Sequence, residues 1–212
     1  MKRARTAALL LLLAPAAAVA QEPSHAPPPA DPALRAELLH RRDEDQRLRR
    51  ELVRQMNSEE GIDRAFGDSV AAMDRRNTAR MKEILSEHGW PGEALVGADG
   101  SRAAWVLVQH ADQDLPFQKR ALELLGAAVK EGQASGRNLA FLTDRVRKHE
   151  GRPQVYGTQT EVVDCRRVPY PIEDPDGVDR RRASVGLGPL QAYLELRRRQ
   201  LGVGPGCEAG GS

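Results

Sequence analysis

Trp105-Val106-Leu107-Val108-Gln109-His110-Ala111-Asp112-Gln113-Asp114 starts as a buried helix and ends as a run of hydrogen-bonding groups. From Ala103 to Val108 apolar side chains cover nearly every side, so this helix is predicted to be central. His110 continues the line of Ala103, Val106 and Leu107, and Asp112 continues Trp105 and Val108. Both polar side chains therefore leave the buried end of a core helix beside the turn that opens the next one.

Working outward, the apolar spacing predicts helices on either side. Asp31 as N-cap and Pro32 in the first turn open one that runs to about Met56. Its apolar line, Leu34, Leu38, Leu48 and Leu52, passes at helical spacing through Arg41 and Asp45. The neighbouring line is Leu39, Arg42, Gln46 and Arg49. A second helix, about Asp68 to His88, carries Val70, Met73, Met81, Ile84 and Leu85, with Asn77 inside the stripe. Gly89-Trp90-Pro91 ends it, since Gly suits a left-handed cap and Pro cannot continue a helix. The central helix spans about Ser101 to Asp112. Asp114 and Pro116 restart the chain into a fourth, reaching about Lys130, and a fifth covers Asn138 to His149.

Beyond Gly151 the pattern changes. Val155, Tyr156, Thr158, Thr160, Val162 and Val163 favour extended chain and predict a short hairpin or extended excursion near residues 152–168. A turn-rich loop over Pro169 to Gly177 leads to two last helices, Val178 to Val185 and Pro189 to Leu201. The expected fold is mainly α, an irregular bundle of about six or seven helices.

The two ends bear on location. Met1 to Arg5 is basic, Ala7 to Ala18 is a short apolar core, and Ala18-Val19-Ala20 is a small-residue cleavage site. That is the form of a secretory signal peptide over residues 1–20, too short to be a membrane span. The expected location is periplasmic or secreted. A Pro-rich linker over residues 21–32, one helical domain over 33–203 and a flexible tail over 204–212 complete the organisation. Without residues 1–20 the formal charge falls from +2 to −1, because Lys2, Arg3 and Arg5 leave with them. The basicity belongs to the leader and gives no warrant for a nucleic-acid partner. Cys165 and Cys207 either pair, closing a loop worth roughly 4 kcal/mol in an oxidising compartment, or remain two thiols.

Four short motifs occur in order: Gly89-Trp90-Pro91, Gln109-His110-Ala111-Asp112, Leu142-Thr143-Asp144-Arg145 and Tyr156-Gly157-Thr158-Gln159. The set resembles an uncharacterised bacterial domain-of-unknown-function family, often exported, from about Leu34 to Tyr193. The resemblance implies no established activity, substrate or cofactor. Any cofactor is unknown.

The chemistry is left to the residues. The serine-hydrolase elbow Gly-x-Ser-x-Gly, phosphate-binding glycine loops, His-Glu-x-x-His and Cys-x-x-Cys are all missing from the sequence. Five histidines, with His25 in the linker, give no basis for a metal site. Two readings of His110 stay open. In one it satisfies buried carbonyls while Asp112 or Asp114 caps the next helix. In the other it faces a pocket as general base or ligand, with Asp112 supporting it. Arg145 either clamps an anionic ligand or pairs with Asp45 or another interior carboxylate. Asp45, Gln46, Asn77, Gln118, Asp144, Gln154, Tyr156 and Gln159 complete the candidate ligand-binding set. A buried group without a partner costs roughly 1–3 kcal/mol, so Asp45, Asn77, His110, Asp144 and Arg145 are expected to converge on one locus. Two function classes follow. One is an exported envelope binding or interaction domain with a polar interior; the other is a small-molecule-binding or hydrolytic enzyme using His110. The partner is an unknown small molecule or an envelope protein.

Overall fold

The computed structural model describes residues 28–201, apart from 57, 59 and 165. The signal-peptide segment, most of the Pro-rich linker, both cysteines and the tail lie outside the described residues. Seven α-helices and one two-stranded ribbon make up the described chain, which is the mainly α architecture expected.

Helix α1 (Pro32–Met56) starts where Asp31 accepts the Leu34 amide at 2.8 Å. Helix α2 (Arg64–His88) starts a turn earlier than the apolar stripe suggested, because Asp63 caps it through the Phe66 amide. Gly89, at φ 66°, stops it.

Helix α3 (Glu93–Gln109) also begins earlier than expected, with a break at Gly97 (φ 73°, ψ 164°). Two glycines there read as loop in the sequence. Gly100 is a packing requirement instead: a Cβ on it would lie 2.8 Å from the Val96 side chain and 3.4 Å from Arg35. Helix α3 packs against α1 and α2, and also against α4 (Leu115–Lys130) and α5 (Gly136–His149). Val96, Ala103, Ala104, Leu107 and Val108 on it are buried among Leu38, Met81, Ile84, Leu125 and Leu142. It is the central helix.

Strands β1 (Thr160–Val163) and β2 (Arg166–Pro169) pair antiparallel, Thr160 opposite Pro169 and Val163 opposite Arg166. A 3₁₀ turn at Pro175–Gly177 leads into α6 (Val178–Ser184), and α7 (Leu190–Leu201) follows. No described helix is long and apolar enough to cross a membrane.

What ties this second part to the bundle is one carboxylate. Asp144 on α5 has no exposed surface. It accepts from the amides of Val155 (2.7 Å), Tyr156 (3.0 Å) and Thr158 (2.9 Å), and from the Thr158 hydroxyl (2.9 Å). The chain bends around it through Gly157 at φ 68°, where a Cβ would lie 2.7 Å from Leu190. Arg182 from α6 donates to the Tyr156 carbonyl at 2.7 Å, and the Tyr193 hydroxyl from α7 donates to the Thr158 carbonyl at 2.7 Å. Gln154, also fully buried, closes the base of the ribbon by donating to the carbonyls of Gln159 and Tyr170 and accepting the Gln159 amide.

Replacing Asp144 with Asn puts an NH₂ group against amides that need an acceptor, and Ala leaves them with none. Either change should lower the unfolding free energy by about 2–4 kcal/mol, read as a drop in the urea midpoint at unchanged slope. A change below about 1 kcal/mol would mean that water or local rearrangement replaces the carboxylate.

Candidate functional site

The polar gap in α1 and the polar end of α3 meet. Asp45, with no exposed surface, places Oδ1 2.8 Å from Nδ1 of His110. His110 is the C-cap residue of α3, so its ring leaves the helix as the chain turns. Gln46 donates to the other carboxylate oxygen at 2.9 Å, and Arg49, one turn along α1, has Nε 3.6 Å from Oδ1. Burial pushes the Asp45 carboxyl up, but His110, Gln46 and Arg49 outweigh it and hold the group below the ordinary carboxylate value. Asp45 is therefore an acceptor, and His110 donates to it from Nδ1–H. In the neutral ring this leaves Nε2 as a lone pair. Among the described residues Nε2 has no hydrogen-bond partner.

His110 is 22% exposed and lines a cleft of about 350 Å³ between α2 and the turn from α3 to α4. Asp74, Arg75, Thr78 and Lys82 form the α2 wall; Gln113 and Asp114 join His110 on the other. Asp74 accepts from Arg49 Nη2 at 2.5 Å. Lys82 pairs with Asp114 at 2.5 Å, and Asp114 also caps α4 through the Phe117 amide. The hydroxyls of Ser69 and Thr143 bond back to their own helices. Thr78 makes no such bond, so its hydroxyl is available to the cleft. The cleft presents an imidazole nitrogen, one hydroxyl, one amide and charges of both signs. No group of three or more His, Cys, Asp or Glu side chains suited to a metal ion occurs among the described residues.

The structure splits the candidate set in three. Asp45, Gln46 and His110 come together. Asp112 does not support His110: it turns the other way and accepts from Nε and Nη2 of Arg145 on α5, the Nε contact at 2.6 Å. Arg145 thus pairs with Asp112 and not with Asp45. Asp112, like Asp45, is pushed up by burial and pulled further down, here by Arg145, His149 and Gln118. Gln118, buried on α4, donates to the carbonyls of Val108 (3.1 Å) and Gln109 (3.3 Å) at the end of α3, the task that one of the two readings gave His110. Asp144, Gln154, Tyr156 and Gln159 form the separate locus that shapes the loop, and none lines the cleft. Asn77 accepts from Arg41 at 3.3 Å on the α1–α2 seam. The expected single locus is at least two, because each buried acid finds partners on the segment packed nearest to it. Sequence reasoning passed over Asp74, Arg75, Thr78 and Lys82. Asp74 could have been found, since it sits on the stripe between Val70 and Asn77 at helical spacing.

A family model, described as a family of unknown function, DUF6624, matches residues 32–204. The chain belongs to this family. No curated protein and no solved structure matches it. The DUF6624 match covers the whole helical bundle and the ribbon, so the His110 cleft and the Asp144 loop both lie inside it.

The depressed Asp45 gives a pH test. A folded-state value below the unfolded one contributes stability that is present above about pH 4 and is lost as pH falls through the folded value. Asp45→Asn removes that contribution. Urea unfolding at a series of pH values should show a variant less stable at pH 7 and with a flatter decline between about pH 5 and pH 3 than the parent. Parallel curves would mean that Asp45 does not titrate differently on folding.

Proposed function

We propose that this is an exported domain that binds and hydrolyses a small molecule in the cleft between α2 and the α3–α4 turn, with His110 as general base. The observation that carries the reading is the unpartnered Nε2 of His110 on a cleft wall, its other nitrogen fixed by a fully buried carboxylate. A purely structural histidine at a helix end is expected to use both nitrogens or to lie away from any cavity.

The chemistry follows from the dyad. With Nδ1–H directed to Asp45, Nε2 takes a proton from water, and the imidazolium that forms is stabilised by the carboxylate behind it. Arg75, Thr78 and Gln113 supply donors that orient a small polar substrate. The cleft is small, so the substrate is of metabolite size. Against a panel of small esters and amides, His110→Gln should lower kcat/KM by about 100-fold or more. A parent protein that neither binds nor turns over any member, or a variant that matches it, ends the hydrolytic reading in favour of an interaction domain with a polar interior.

Export rests on the basic, apolar and small-residue order of residues 1–20. Mass spectrometry of the native protein should find a chain that begins at Gln21, outside the cytoplasm. An intact Met1–Ala20 segment would refute it.

A further inference from the structure

Four side chains form one continuous polar chain, and both of its ends line the same cleft. Nδ1 of His110 donates to Oδ1 of Asp45 at 2.8 Å; Arg49 Nε lies 3.6 Å from that oxygen; Arg49 Nη2 donates to Oδ1 of Asp74 at 2.5 Å. At the two ends, Nε2 of His110 and Oδ2 of Asp74 have no hydrogen-bond partner among the described residues. Asp45 in the middle is fully buried, and the Arg49 Nε–H is buried without a hydrogen bond of its own, although the Arg49 side chain as a whole keeps about a quarter of its surface exposed. One guanidinium therefore serves two acids. It satisfies neither completely.

We propose that Asp74 is the proton donor that works opposite His110, and that the substrate is a small molecule whose leaving nitrogen or oxygen needs a proton as its bond to carbon breaks. This rests on the reading of His110 as the base. Water gives one proton to His110 Nε2 and its oxygen bonds to the electrophilic carbon. The bond from that carbon to the leaving nitrogen or oxygen breaks, and the leaving atom takes the proton of the Asp74 carboxyl. An acid and an amine or alcohol are released. His110 then returns its proton to solvent and Asp74 takes one back, so the protein ends as it began.

Environment separates the two acids on Arg49. Asp45 has His110 and Gln46 as well as Arg49, and stays charged. Asp74 is pushed up by burial; Arg49 and His110 oppose this, Asp45 adds to it, and the net direction is upward. The 2.5 Å contact with Arg49 favours the charged form, but that cation is shared, so it does not offset the burial. Paired titratable groups pushed in opposite directions are how one site holds an acid and a charged partner at once. The groups facing Asp74 are Arg49 and Asp45 from α1 and His110 from the turn after α3. Arg75 and Lys82 on its own helix, and Asp114 opposite, also line the cleft.

Carboxyl-carbon NMR of the full chain tests the assignment without a substrate. Asp74 should titrate above the ordinary aspartate midpoint, and His110→Gln, which removes a group that opposes this, should move it further up. A midpoint at or below the ordinary value, or one that His110→Gln leaves in place, overturns the proposal. For any substrate whose turnover His110→Gln disables, Asp74→Asn should abolish the limb of the pH–rate profile on which activity falls with rising pH. Survival of that limb sinks the donor role and leaves the base standing.

Discussion

A carboxylate with no exposed surface in the middle of a 25-residue helix is the constraint around which the bundle is arranged. Burying Asp45 uncompensated would cost several kcal/mol, so the chain must bring donors to it. Gln46 and Arg49 come from its own helix. His110 comes from the far end of the most buried helix, and that contact seats α1 against the end of α3. Because the His110 ring is held from behind, its front is left at a gap that α2 only partly covers. The cleft is a by-product of satisfying the acid.

Asp144 meets the same demand in the opposite way. All of its capacity goes to one loop, through three amides and a hydroxyl. Two fully buried acids in one small domain thus have different outcomes. The chain around Asp144 is saturated, whereas the chain through Asp45 ends in two unsatisfied atoms on a concave surface. That difference in saturation, more than burial or charge, distinguishes the two loci.

Much of this was legible in the sequence. Apolar spacing located the helices, and the interruptions at Asp45 and Asn77, with His110 at the end of the central run, marked buried polar positions. Helix starts were harder: Asp63 and Glu93 precede glycines that look like loop, and only the packing of Gly100 on Val96 explains why a helix tolerates it there. Partner choice was not legible. Asp112 is two residues from His110 and was the natural support for it, yet the turn after α3 sends the two side chains to different helices. Gln154, Tyr156 and Gln159 read as ligand groups because the acid they surround is supplied from α5, across a sequence gap that no periodicity spans.

The ribbon formed by β1 and β2 carries a consequence for association. Two strands alone leave two outer edges, and an edge with free amides and carbonyls is a template for adding a foreign strand. Here each strand is four residues long, and the exposed Val162 and Val163 at the tip would favour such pairing. Glu161, Arg166 and Arg167 put charge along the strands, and Pro169 removes a donor where β2 ends. Short strands and charged side chains both work against the addition of a foreign strand, and so offset the exposed valines.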